Sequence, residues 1–320
     1  MRTWLMQRFG VAVPVVGAPM AGASGGALAG AISTAGGLGM IGAGNLASAD
    51  WIREQGAIAA ESGKPYGVGL MAWALSEKPE QLDAVLELKP ALVSLSFGDY
   101  PQYVKRLQDA GITVATQAGT LADAREAVAA GVDVLVARGG EGGGHGRNEV
   151  ATLPLLQAIL DEVELPGLAA GGISGARGLA AVLAAGAAGA WIGTAFLTCR
   201  EAINSASARQ QLIASDETST SYGTVFDQAS RAGWPDEFGG RALRNPFFVQ
   251  WQGHEKELGA DDAAHDEFMA GVRAGDVGTA PLYAGQGIGA LTAETTAADV
   301  LQRFAAADDL LRAAADRRRP

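Results

Sequence analysis

Residues 167–196 read GLAAGGISGARGLAAVLAAGAAGAWIGTAF. Taken as one apolar span, the stretch from Gly178 to Leu197 has the length of a membrane helix. Gly186 and Gly189 cut it into a helix-length piece and a strand-length piece, so it reads as buried core. The whole segment is then a strand over 167–170, a turn at Gly171 and Gly172, a helix, and a second strand over 189–193. Two strands joined through one helix imply a right-handed crossover and parallel pairing.

The same unit recurs upstream. Short apolar runs occupy 13–18, 38–42, 67–71, 91–96, 112–116 and 132–137, giving eight with the two above. Most lack polar alternation, as expected of strands covered on both faces. Between them lie Ala- and Leu-rich segments with helical spacing, such as Leu82, Val85 and Leu86. Several close on Ala-Gly, where a left-handed glycine releases the chain into the next strand. Eight such units fit a (β/α)8 TIM barrel better than an open doubly wound sheet, which stands as the alternative. After Phe196 the rhythm stops. Residues 201–275 are more polar and read as helices and loops without strands. The expected organisation is a barrel from 1–200 and 276–320, closed by one helix over about 297–315, with a helical cap at 201–275 inserted after the eighth strand and lying over the active-site mouth.

Composition narrows the function classes. The 320-residue chain is 48% hydrophobic and 18% charged, with a net charge of −11. That balance gives no electrostatic footprint for nucleic acid or an anionic membrane. The clustered arginines at 317–319 read as a solvated tail. Cys199 is the only cysteine, which removes an intramolecular disulfide and a thiolate metal cluster. His145, His254 and His265 have no metal-ligand spacing, and no metal is expected. The first residues lack the apolar core of a secretory leader, so the expected setting is the cytoplasm.

In a barrel of this type the chemistry sits in loops after the strand C-termini. The loops after the seventh and eighth strands, with Gly171, Gly172, Gly193 and Thr194, suit a phosphate held by backbone N–H groups. The loop after the sixth strand, Arg138-Gly-Gly-Glu-Gly-Gly-Gly-His-Gly-Arg147, places His145 within six glycines. Backbone and ligand can meet closely there beside one imidazole, whose titration near neutrality makes it the candidate catalytic proton carrier. Asp99 and Glu141 are isolated and read as loop-surface charges. Cys199 reads as a buried, inert thiol.

The ordered set of Ala18-Pro19-Met20, the glycine loop ending at His145, Ala-Ala-Gly-Gly-Ile at 169–173, Trp-Ile-Gly-Thr-Ala-Phe at 191–196 and Tyr-Ala-Gly-Gln-Gly-Ile-Gly at 283–289 resembles the nitronate monooxygenase family. The resemblance covers nearly the whole chain and is weakest over 201–275. It implies non-covalent FMN in the barrel, with Ala18, Pro19, Met20, Gln117, Gly143 and Gly144 beside the flavin. Gly171, Gly172, Gly193 and Thr194 would grip its phosphate, and Tyr283 would face the substrate. The implied reaction is oxidation of an alkyl nitronate by dioxygen to a carbonyl compound and nitrite, with His145 contacting the nitro group or removing an α-proton from a neutral nitroalkane. Positive charge near His145 and Arg147 would offset the acidic chain. Two positions depart from the resemblance: Gly69 stands where many relatives carry Asn, and Trp191 where Gln or Asn is common. Two other readings stay open: an NAD(P)H-dependent FMN reductase of quinones or enoyl thioesters, and a non-catalytic barrel that holds a phosphorylated ligand. A homodimer is compatible with each.

Overall fold

The computed structural model describes residues 2–317, so Arg318 and Arg319 of the basic tail lie outside the described residues. Eight strands form one parallel sheet: β1 (Val15–Gly17), β2 (Gly39–Gly42), β3 (Tyr66–Met71), β4 (Leu92–Ser96), β5 (Thr113–Ala118), β6 (Val134–Arg138), β8 (Gly167–Ala170) and β9 (Gly189–Ile192). A two-residue strand, β7 (Gly144–His145), interrupts the series within the glycine loop. The order around the sheet is β1-β9-β8-β6-β5-β4-β3-β2. A parallel bridge between Val16 and Leu38, with Gly17 N–H donating to the Leu38 carbonyl at 2.9 Å, brings the two edges together and closes the barrel.

The missing alternation has a direct cause. One set of strand side chains, Val16, Met40, Leu92, Ala115, Val134, Val136, Leu168 and Trp191, packs inside the barrel with Leu5 and Phe9. The alternate set, including Ile41, Val68, Val93, Val114, Leu135 and Ile192, packs outward among the helices. Both faces are dry, so both faces are apolar. Leu5 and Phe9 belong to the N-terminal helix Trp4–Phe9, which plugs the barrel at the strand N-termini; its Arg8 reaches Thr113 at the start of β5. The opposite mouth is left for the loops.

Close packing between the sheet and its helices sets several small residues. A β-carbon on Gly39 would run into the backbone carbonyl of Ala29, on the facing helix Gly26–Thr34. Neither partner can rotate out of the way, because both are backbone. Gly39→Ala is therefore expected to destabilise the fold by about 3 kcal/mol, the upper part of the range for overpacking. Chemical denaturation should show a lower midpoint with an unchanged slope.

The segment over 201–275 is not strand-free. It carries β10 (Thr220–Gly223) and β11 (Gly240–Leu243) among the helices Ala206–Ile213, Val225–Ser230, Pro246–Trp251, Glu255–Ala260 and Asp262–Ala274. β11 pairs antiparallel with β10 on one side and with β7 on the other, setting Gly240 opposite His145 and Arg241 opposite Gly144. The segment has its own small core of Val225, Phe226, Phe247, Phe248, Leu258 and Phe268. The closing helix is also two, Ala297–Ala305 and Ala307–Asp316, divided at Ala306. Among the described residues no helix is long and apolar enough to cross a membrane, and no three His, Cys, Asp or Glu side chains group as a metal site. Cys199 is fully buried, and burial pushes its thiol up to about 12.

Candidate active site

The glycine loop is organised by the residue that precedes it. Arg138, the last residue of β6, is only 4% exposed. Its Nη1 donates to the Arg147 carbonyl at 2.8 Å, and its Nη2 donates to the carbonyls of Gly142 and Gly144 at 2.8 and 2.9 Å. A planar guanidinium can meet several oxygens at once, which suits a loop with few side chains of its own. Burial pushes this guanidinium down to about 10, so it is charged at neutral pH. From the other side, Arg241 of β11 donates to the Gly140 carbonyl at 2.8 Å and to Asn148 at 3.0 Å. Glu141 is not a free surface charge: its carboxylate accepts from Thr152 N–H and hydroxyl at 2.9 and 2.8 Å, capping the helix Thr152–Glu162.

Held this way, His145 lies under residues from the insert. Its Nε2 is 2.8 Å from Asp227 Oδ1, and the two side chains are 9% and 10% exposed. Trp234 stacks on the imidazole, with centroids 3.5 Å apart and planes within 2°. Tyr283, bridged to Ala242 of β11, sits with its ring centroid 5.1 Å from that of His145. Burial, and then the Asp227 charge, hold the Tyr283 hydroxyl well above its ordinary value, so it is a proton donor at neutral pH. Trp234 continues into an aromatic wall through Trp73 and Phe97, and Phe97 meets Phe238 at 5.3 Å. The indole Nε1 of Trp73 is buried without a hydrogen-bond partner. Beside the wall a cavity of about 340 Å³ is lined by Phe97, Tyr100, Gln117, Arg147 and Phe238, among others. Arg147 donates from Nε to both Asp123 oxygens at 3.0 Å and lies over the Phe238 ring, so its charge is already matched by a carboxylate.

The other sequence-derived residues gather at the same end of the barrel. Gly171 and Gly172 have φ of +109° and +68°, values that favour glycine. They lead into the helix Ala176–Ala184, whose N-cap, Gly175, offers no side-chain acceptor to the first turn. Gly193 is likewise an uncapped start, for the 3-10 turn Thr194–Phe196. The Thr194 hydroxyl accepts from Gly285 N–H at 2.9 Å, and a β-carbon on Gly287 would touch Ser174, so the loops after β8 and β9 and residues 285–287 converge. The result is a small-residue cradle of backbone donors beside a helix N-terminus, which fits a phosphate. Met20 borders Gly193, and Gly143 packs against Ala284 and Gly285. Both departures have structural causes. A β-carbon on Gly69 would collide with Pro19, so the proline ring fills the space an Asn side chain would need, and Trp191 is packed within the barrel interior.

Asp227, Trp234 and Arg138 were not indicated by the sequence. Asp227 and Trp234 stand 82 and 89 positions beyond His145 in the chain and belong to no motif. The docking of the insert on the glycine loop, through the β11–β7 pairing and the Tyr222 and Arg241 bonds beside it, brings them to the imidazole.

Comparison with known proteins places this geometry. Residues 71–306 match the family model described as nitronate monooxygenase. The nitronate monooxygenase npaC of Metarhizium robertsii is 34% identical across 86% of this chain and 85% of its own length. The (3aS,4S,5R,7aS)-5-hydroxy-7a-methyl-1-oxo-octahydro-1H-indene-4-carboxyl-CoA dehydrogenase of Rhodococcus jostii is 34% identical over 67% of this chain; the match spans 60% of that protein's length. Among solved structures, the nitroalkane oxidase of Streptomyces ansochromogenes superposes with a TM-score of 0.82 at 29% identity, over 97% of this chain and 99% of its own.

Proposed function

Because the chain belongs to the nitronate monooxygenase family, we propose that it is a flavin-dependent oxidoreductase that uses FMN and dioxygen to convert nitroalkanes, through their nitronates, to carbonyl compounds and nitrite. The observation that carries the reading is the coincidence, at one barrel mouth, of an uncapped backbone cradle at Gly171, Gly172, Gly193 and Thr194 with a single nearly buried imidazole. The cradle would hold the cofactor phosphate, and Ala18, Pro19, Met20, Gln117, Gly143 and Gly144 would line its ring. When bound, FMN supplies the redox chemistry that links a carbanion-like substrate to dioxygen.

The protein's own part is proton transfer, orientation and exclusion of water. A nitro group acidifies the adjacent C–H bond, and the neutral imidazole of His145 takes that proton. The aromatic wall of Trp73, Phe97, Trp234 and Phe238 keeps the site dry, which strengthens each polar contact made inside it. Tyr283, still protonated, can donate to an oxygen of the developing anion. With the charge of Arg147 already matched by Asp123, hydrogen-bond donors share the task of holding that anion. The segment over 201–275, which supplies Asp227 and Trp234, acts as the cap over the mouth.

The 34% identity to a carboxyl-CoA dehydrogenase favours a second reading, oxidation or reduction of an acyl thioester. The chemistry is related, since a thioester carbonyl also acidifies its α-carbon. Asp99, Glu126 and Glu237 at the cavity disfavour the phosphates of a coenzyme A tail there. The purified protein should be yellow, release nitrite from a nitroalkane or nitronate under air, and keep its flavin oxidised when mixed anaerobically with NADH. Rapid bleaching by NADH with no nitrite from either nitro substrate would replace this reading with a reductase, and a colourless protein that takes up no FMN would replace it with a ligand-binding barrel.

A further inference from the structure

Building on the assignment of His145 as base, we propose that Asp227 is a positioning residue that fixes the His145 tautomer, so that Nε2 carries the hydrogen and Nδ1 is the atom that takes the substrate proton. The carboxylate of Asp227 is an acceptor, and its Oδ1 lies 2.8 Å from Nε2. A neutral imidazole facing that oxygen places its single N–H on Nε2. Among the described residues no group bonds Nδ1, which leaves its lone pair free. Trp234 fixes the ring plane while Asp227 fixes the proton within that plane. The pair spans the site: His145 comes from a barrel loop and Asp227 from the helix Val225–Ser230 of the insert.

A staple between insert and barrel is the competing role, and the structure supplies that attachment by other means. Gly240 pairs with His145 through the β11–β7 ladder, and Gly146 N–H donates to the Gly239 carbonyl at 3.1 Å. The Tyr222 hydroxyl joins Gly146 to Gly239, and Arg241 holds Gly140 and Asn148. Asp227 takes part in none of these. Among the described residues its carboxylate has one hydrogen-bond partner, the imidazole. A nearly buried carboxylate with no arginine or lysine beside it is costly unless it serves the group it faces.

The test uses the flavin-loaded full chain with its imidazoles labelled with 15N, the His145 signals being assigned by their loss in His145→Asn. In the wild type the neutral ring should show hydrogen on Nε2 and a bare Nδ1. Asp227→Asn has the same shape but can turn its amide to donate toward Nε2, and Asp227→Leu offers no acceptor; both should move the hydrogen toward Nδ1. Turnover of a neutral nitroalkane should then fall on the order of 10²-fold or more in kcat, the effect of a wrong tautomer, with KM within about threefold. Turnover of the corresponding preformed nitronate, which needs no proton removed, should stay within about threefold. A wild-type ring with its hydrogen on Nδ1 overturns the proposal. So does an Asp227→Asn variant with unchanged or faster turnover of the neutral substrate, or one that loses both substrates and the flavin together. If the wild type oxidises neither nitro compound, the assignment of the reaction fails, and the tautomer in wild type against variant still decides the role of Asp227.

Discussion

His145→Asn is expected to lower kcat for a neutral nitroalkane by about 10²–10⁴-fold, the usual contribution of a positioned general base. The protein should remain yellow at full flavin stoichiometry. The two halves of this expectation come from different parts of the mouth. The proposed phosphate cradle is built from Gly171, Gly172, Gly193 and Thr194, whereas the imidazole of His145 is held by Asp227, Trp234 and Tyr283. The backbone at 145 stays in the β7–β11 ladder whatever side chain it carries. Asparagine still fills much of the space beneath Trp234 but has no basic nitrogen to take a proton. The loss should therefore be in kcat and kcat/KM together, with KM little changed, which is the signature of an interaction made in the transition state. Steady-state nitrite release, read against flavin absorbance in the same sample, checks it. A variant that matches the wild type on the neutral substrate would remove His145 from the mechanism.

The barrel could be read from the sequence because its signals are local. Most of the eight parallel strands are short runs in which both side-chain sets are apolar, and several of the helices between them close on a glycine that releases the chain into the next strand. The three-stranded sheet had no such signal. Thr220-Ser-Tyr-Gly223 and Gly240-Arg-Ala-Leu243 are short and partly polar, and β11 is stabilised by pairing with Gly144 and His145 almost a hundred residues earlier. Local propensity cannot report a partner at that distance. The break at Ala306 was equally hidden, since no proline or glycine marks it.

The same division holds at the site. His145 stood out because six glycines around it exclude a packed wall, and the cradle stood out because two glycine turns share one position in successive units. Asp227 and Trp234 reach the imidazole through a long-range docking of the insert that the sequence did not show. The reason for Gly69 was hidden in the same way: the space beside it belongs to Pro19 from the neighbouring loop. In the proposed function the mouth is thus divided: the barrel would provide the cradle and the histidine, and the insert, through Asp227 and Trp234, what orients the histidine.

Arg138→Met should be the most damaging substitution outside the reacting groups. This arginine is buried at the end of β6 and donates to the carbonyls of Gly142, Gly144 and Arg147. Methionine matches much of its volume and supplies no donor. Each buried carbonyl left unpaired costs about 1–3 kcal/mol, and because the loop can partly turn its oxygens to water the expected total is about 3–5 kcal/mol. A large share of that cost falls on a single loop. With its carbonyls released, residues 142–144 lose the conformation that sets Gly143 against Ala284 and His145 against Asp227. Flavin affinity and turnover should therefore fall together, unlike in His145→Asn, and the thermal midpoint should drop by several degrees. Arg138→Lys separates charge from geometry: one ammonium keeps the charge but cannot span the oxygens that the planar fork reaches. It should recover part of the stability and little of the activity. Full activity in the lysine variant would mean that charge alone holds the loop, and an unchanged thermal midpoint in the methionine variant would mean that the guanidinium does not hold it at all.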